Sequence, residues 1–146
     1  MTFQNRQKRA VKNMFKVDYT TGAITMSVGD TGSFQVEAHR DDETDWTEDD
    51  RATLTIKNAE GSIVLERDYR LDDDEGLGNG VIGIEFQNSD TDTWNPGIYS
   101  WEMRYIVNPY YDSNGKIIDG DIVRTPGIDG GGDPMPMILK AVYRNI

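Results

Sequence analysis

The chain has 146 residues, 14 aromatic side chains, no cysteine and a formal net charge of −11. One domain of this length buries an adequate core, and the absence of cysteine excludes disulfides, thiolate zinc sites and cysteine nucleophiles. No apolar run approaches the roughly 20 residues that cross a bilayer, and no apolar secretion segment follows the basic N-terminus, so we expect synthesis in a reducing cytoplasm and no membrane partner.

The first 16 residues differ in charge from the rest of the chain. They contain five basic residues and no acidic one, which leaves −16 for the remaining residues. Nucleic-acid binding gains most of its affinity from contacts with phosphates, and a domain with this negative charge repels phosphates. We therefore do not expect nucleic acid as the main partner. We interpret residues 1–16 as a basic N-terminal arm that contacts a neighbouring subunit through Arg6, Lys8, Arg9, Lys12 and Lys16.

From residue 17 onward the pattern is that of β-strands. Apolar and polar residues alternate in short segments, turn residues separate these segments, and none of them sustains a 3.6-residue period. The pattern predicts one domain, residues 17–146, built as a β-sandwich or small barrel of about seven to nine strands. The main predicted strands cover residues 23–28, 34–38, 52–57, 62–69, 82–86, 97–107, 116–123 and 137–143.

The triplet Asp30-Thr31-Gly32 allows two interpretations. Aspartic proteases carry such a triplet and couple it to two later apolar residues and a glycine, as in Val81-Ile82-Gly83. With a single triplet the chain would have to dimerise, because two carboxylates must share a proton. However, Ser27-Val28-Gly29 replaces the apolar strand that leads into the aspartate of these enzymes. We therefore favour a polar turn and expect no enzyme and no catalytic residue.

Acidic loops raise the question of a bound cation. The segment that begins at Asp112 fails as a calcium loop, because it has Lys116 at its fifth position and no glutamate at its twelfth. The better candidates are residues 72–75 and the pair Asp90 and Asp92. Clusters of this kind are usually solvated surface, so we expect no metal, and no nucleotide or other cofactor motif is present.

The segment from Gly97 to Trp101 narrows the fold class. A glycine precedes Tyr99 by two residues, and Tyr99 precedes Trp101 by two residues. Immunoglobulin (Ig) domains place a corner tyrosine two residues before the second cysteine of the disulfide between their sheets. We therefore predict an Ig-like antiparallel β-sandwich. Tyr99 should donate a hydrogen bond to the backbone of residues 92–96, and Trp101 should fill the space between the sheets.

Aromatic residues supply an alternative function. Exposed rings can stack on sugars, and the candidates for a carbohydrate-binding adhesion module are Trp46, Trp94, Tyr110 and Tyr111. In the other interpretation, which we favour, the tryptophans cover the ends of the sandwich.

Two segments resemble a family of phage and prophage structural proteins. Residues 24–36, ITMSVGDTGSFQV, are similar to the opening strand, Gly-Asp-Thr turn and alternating strand of these proteins, and residues 97–107, GIYSWEMRYIV, are similar to their later long strand. The N-terminal Ig-like modules of phage baseplate upper proteins are of this kind. Residues 41–50 depart from the family, which has a short apolar connection there.

The resemblance implies a virion building block without catalysis, made in the bacterial host cytoplasm. Such a protein would bind other virion proteins and further copies of itself, at the head, neck, tail or baseplate. The resemblance also implies that residues 29–32 form a turn, in which glycine adopts a positive φ and Asp30 caps local backbone amides.

Overall fold

The computed structural model describes residues 15–37, 45–71, 80–124 and 134–141, except the side chains of residues 108–111 and 117–124. This part of the chain is mostly β, as predicted. None of its helices has the length and hydropathy to cross a membrane. Its elements in chain order are β1 (Lys16–Val17), β2 (Ile24–Ser27), β3 (Gly32–Glu37), β4 (Arg51–Lys57), β5 (Ile63–Arg70), β6 (Val81–Phe86), helix α1 (Asn88–Thr91), β7 (Gly97–Tyr111), β8 (Ile117–Arg124) and β9 (Met135–Lys140).

Seven of the described strands form a large sheet in the order β1-β2-β9-β7-β4-β5, and β8 also pairs with β7. The 15-residue strand β7 organises this sheet, because β4 pairs along one of its sides while β9 and β8 pair with successive parts of it. The pair β2–β9 is parallel, with Ile24 opposite Met137. The expectation of a wholly antiparallel arrangement is therefore wrong at this pair. Its two strands come from opposite ends of the chain, so no short hairpin forces them to run antiparallel.

Strands β3 and β6 form a separate antiparallel sheet, which we call the small sheet. Its ladder runs from Gly32 opposite Phe86 to Glu37 opposite Val81. Alternate residues point to the core, because successive side chains of a strand face opposite sides. One core cluster joins both sheets, with Phe34, Ile82, Ile84 and Phe86 from the small sheet and Ala52, Leu54, Ile56, Trp101, Met103, Met137 and Leu139 from the large one.

The corner predicted around Tyr99 is present. The buried Tyr99 donates a hydrogen bond from its hydroxyl to the carbonyl oxygen of Asn95 at 2.7 Å. Trp101 is also buried, and its ring meets that of Phe34 edge-to-face with centroids 5.6 Å apart. The indole Nε1 donates to the carbonyl oxygen of Gly22 at 2.8 Å. Both predictions are confirmed: Tyr99 is bonded to upstream backbone, and Trp101 fills the space between the sheets.

The N-terminal end of the described fold includes two residues that the sequence interpretation placed in the arm. Phe15 packs against Phe34 and Phe86 with ring centroids 6.4 and 6.0 Å away, and Lys16 pairs with Thr25 in β1–β2. A Cβ atom on Gly32 would overlap the Phe15 ring, so a glycine at this position makes room for it. The other predicted contact residues of the arm lie outside the described residues: Arg6, Lys8, Arg9 and Lys12.

Candidate functional site

The segment from Ser27 to Gly32 forms a tight turn between β2 and β3. Gly29 has a φ of 79°, in the region that favours glycine. The backbone N–H of Ser27 donates to Asp30 Oδ2 at 2.7 Å, and the N–H of Asp30 donates to the Ser27 carbonyl oxygen at 3.0 Å. The aspartate of the triplet therefore closes its own turn, as the turn interpretation predicts.

Helix α1, about 60 residues further along the chain, contacts this turn directly and holds it in place. Thr91 is fully buried, and its Oγ1 accepts the N–H of Gly29 at 2.8 Å. Asn88 Nδ2 donates to the Gly29 carbonyl oxygen, also at 2.8 Å. The structure does not couple the triplet to Val81-Ile82-Gly83 in the way the protease interpretation requires. Gly32 pairs with Phe86, and Val81 lies at the opposite end of the ladder.

Arg67 links the edge of the large sheet to the small sheet. From β5, its Nη1 donates to the Glu85 carbonyl oxygen at 2.6 Å, and its Nη2 lies 2.7 Å from Asp90 Oδ2. The guanidinium also lies over the Phe86 ring, 5.9 Å from its centroid. Asp90 Oδ2 accepts the N–H of Gln87 at 2.7 Å. We call this group of contacts the Arg67 clamp.

The Arg67 clamp sets the ionisation of Asp90. Burial disfavours the charged carboxylate, but the hydrogen bonds from Arg67 and the Gln87 N–H, together with the positive charge of Arg67, outweigh burial. The pKa of Asp90 is therefore lower than its usual value. This carboxylate, one of the cation candidates, takes part in joining the two sheets.

The described residues contain no group of three or more His, Asp or Glu side chains that could hold a metal ion. Asp92, the partner that the sequence suggested for Asp90, is an exposed residue at the C-terminal end of α1. The other candidate segment, residues 72–75, lies outside the described residues.

The aromatic candidates for sugar stacking are placed differently from one another. Trp46 is only 7% exposed and packs on Tyr105 with centroids 6.3 Å apart, so the interpretation of Trp46 as an exposed stacking platform is wrong. Trp94 is half-buried and stacks on Tyr99 at 5.3 Å. Tyr110 and Tyr111 belong to β7, but their side chains lie outside the described residues. Trp46 and Trp94 therefore both pack on tyrosines of β7, and the interpretation that the tryptophans cover the ends of the sandwich stays a prediction.

The outer face of the small sheet carries an open groove of about 760 Å³. Tyr19, which is 77% exposed, stands beside it. Two carboxylates and no basic side chain occur among the residues that line it in the described part of the chain. We call it the outer groove; its lining comprises the polar residues Tyr19, Ser33, Gln35, Glu37 and Glu85 together with Gly83 and the apolar residues Phe34, Val81 and Ile84.

The outer face of the large sheet is apolar near one end. Ile98 of β7 and Ile138 of β9 are partners in the ladder, and they are 69% and 39% exposed. Ile63, at the start of β5, is 55% exposed. The alternation of buried Met135, Met137 and Leu139 with the intervening residues of β9 is the sequence signal that could have found Ile138.

Of the five predicted contact residues of the arm, Lys16 is the one that the structure describes, and its side chain is exposed on β1. Comparison of the chain with protein-family models, with curated proteins and with solved structures found no match.

Proposed function

We propose that this protein is a structural protein of a phage virion, an Ig-like β-sandwich that acts through contacts with copies of itself and with other virion proteins. In this proposal it has no catalytic step, metal or cofactor, and it is made in the bacterial cytoplasm before it enters the particle. Head, neck, tail and baseplate are all compatible positions.

The fold supports this proposal through its corner and its turn. The Tyr99 hydrogen bond to upstream backbone and the buried Trp101 are the two local features that the Ig-like interpretation expects in this strand. The Asp30 carboxylate caps the turn before β3, which is the architectural role that the resemblance to phage structural proteins implies. Burial of Trp46 removes one residue of the carbohydrate-binding alternative, so we do not propose that function.

The observation that carries the proposal is the separation of charge along the chain. Four basic residues precede Phe15, which the structure anchors against Phe34 and Phe86, and the residues after Lys16 carry a formal charge of −16. A basic segment fixed at one end to an acidic domain is suited to contact the acidic surface of a neighbour. Such complementarity steers and orients association, and salt weakens it.

The contact can be tested by light scattering at low and high salt. The arm variant replaces Lys8, Arg9 and Lys12 with glutamine and leaves Phe15 in place. A control variant makes the same change of charge at Lys57, Lys116 and Lys140. We expect salt-sensitive oligomers of the native chain and of the control, and loss of these oligomers in the arm variant. A monomer in every condition, or an arm variant that assembles normally, would contradict the self-association.

The virion assignment needs its own experiment. We expect antibodies against the protein to label purified particles of the phage that encodes it, at one fixed location and with a constant number of copies. If particles purified to homogeneity lack the protein, the virion assignment is wrong even when the isolated chain assembles.

A further inference from the structure

The two carboxylates of the outer groove stand at a defined spacing. Glu85 lies opposite Ser33 in the ladder, and Glu37 follows Ser33 by four residues on the same face of β3. Four residues of strand cover about 13 Å. Two basic groups four residues apart on an extended chain would therefore match this spacing. The Glu85 carboxylate lies across the ladder from the short side chain of Ser33 and also accepts a hydrogen bond from Gln87 Nε2.

The sequence of the arm contains that spacing. Lys8 and Lys12 are four residues apart, and Ala10 lies midway between them. In an extended chain, side chains at even separations share one face. Lys8 and Lys12 of an extended arm would thus point to the same side, and the small Ala10 would stand beside Gln35, which is midway between Ser33 and Glu37.

The edge of β3 offers backbone groups next to the groove. Among the described strands, β3 pairs with β6 alone. The other edge of β6 is covered at Glu85, whose carbonyl oxygen accepts a hydrogen bond from Arg67. A strand with a partner on one side can add an extended peptide on the other, and main-chain hydrogen bonds then supply most of the affinity.

A short connector joins the proposed paired segment to the fold. Phe15 is anchored against Phe34 and Phe86, and two residues separate it from Lys12. The three residue steps from Lys12 to Phe15 span about 10 Å when fully extended. An arm that places Lys8 and Lys12 at the two carboxylates of a neighbour therefore requires the two subunits to be in direct contact beside Phe15.

We infer that the outer groove binds residues 1–14 of a second copy of this chain as an added strand beside β3, with Lys8 and Lys12 at the carboxylates of Glu37 and Glu85. This inference rests on the proposed arm contact and specifies where on the neighbour the arm binds. Ala10 is midway between Lys8 and Lys12, and Gln35 is midway between Glu37 and Ser33, the residue opposite Glu85. Ala10 therefore lies beside Gln35 whether the added strand runs parallel or antiparallel to β3.

Disulfide trapping can test this pairing without interference from native thiols, because the native chain has no cysteine. Full-length chains carrying Ala10→Cys are mixed with full-length chains carrying Gln35→Cys and a mass tag, and the mixture is oxidised mildly. Neighbouring strands hold paired residues at a distance that suits a disulfide. We expect a cross-linked heterodimer at low salt that decreases at high salt. The matched control is Ser62→Cys, an exposed serine in the turn before β5.

Three results would overturn the inference. One is the absence of a heterodimer, and another is equal cross-linking to Cys at position 62. The third comes from a chain that carries both Ala10→Cys and Gln35→Cys: a disulfide that forms only within single chains would show that the arm occupies its own groove. If trapping fails while the arm variant still loses its oligomers, the assembly function stands and the groove is the wrong acceptor. If the oligomers do not depend on the arm at all, the proposed contact itself is wrong.

A second measurement tests the role of the carboxylates. Neutralising both with Glu37→Gln and Glu85→Gln should reduce the yield of the heterodimer about fivefold, since each exposed ion pair contributes modestly. Glu60→Gln with Glu66→Gln changes the net charge by the same amount on exposed residues outside the groove, and we expect it to leave the yield unchanged. Equal reductions in the two variants would show a general effect of charge and contradict the pairing at the groove.

Discussion

The two sheets share one core but present different outer faces. The large sheet exposes isoleucines at one end of its outer surface, whereas the small sheet carries the outer groove with its two carboxylates, beside an edge of β3 that pairs with no other described strand. Burial of the inner faces therefore fixes the fold, while the outer faces remain free to carry different contacts. Variants that separate the two sheets, weaken their connection or alter a single outer face test this comparison.

The largest effect is expected at the joint between the sheets. Trp101→Ala removes the ring that meets Phe34 and the hydrogen bond to Gly22. We expect the free energy of unfolding to fall by about 3–5 kcal/mol, which is typical for deletion of a large buried aromatic side chain. Urea denaturation measures this loss. Trp94→Ala is the control, because Trp94 is half-buried on Tyr99, and an equal loss in the two variants would contradict a special role for Trp101.

A smaller effect is expected at the Arg67 clamp. Asp90→Asn removes the charge that pairs with Arg67, and we expect a loss of about 1–2 kcal/mol near neutral pH. Because the folded-state pKa of Asp90 is lowered, its contribution is present above the unfolded value of 3.8 and is lost as pH falls through the folded value. Unfolding measured across pH 2–7 should therefore show the wild type and the variant converging at acidic pH. A constant difference would contradict the ionic role.

The smallest effect on stability is expected at the outer face of the large sheet. Ile98→Ser with Ile138→Ser alters exposed side chains, so the free energy of unfolding should change by less than about 1 kcal/mol. Urea denaturation and light scattering of the same sample measure stability and assembly together. If this variant loses its oligomers while the arm variant keeps them, the large sheet provides the interface between copies and the small sheet does not.

Local sequence patterns predicted the features that local geometry determines. The spacing of Gly97, Tyr99 and Trp101 sets which side chains share a face, and the corner hydrogen bond reaches back only four residues. The turn at Gly29 follows in the same way from a glycine and a capping aspartate. Such features depend on few neighbours, so a short stretch of sequence is enough to identify them.

Features that depend on distant partners could not be predicted. Trp46 has acidic neighbours in the sequence and looks exposed, but Tyr105 of β7 covers it. The parallel pairing of β2 with β9 joins strands more than a hundred residues apart. The outer groove depends on the register that places Gly83 opposite Gln35, and no segment of the sequence specifies that register by itself.

The parallel pairing of β2 with β9 also has a mechanical consequence. A force that pulls the N-terminal arm away from the C-terminal strand first peels off the two-residue strand β1 and then acts on the start of β2 and the end of β9. Because these strands run in the same direction, the load falls on all of their hydrogen bonds at once, in shear. The bonds cannot then open one after another, so tension applied between the two ends of the fold meets resistance from the whole β2–β9 ladder.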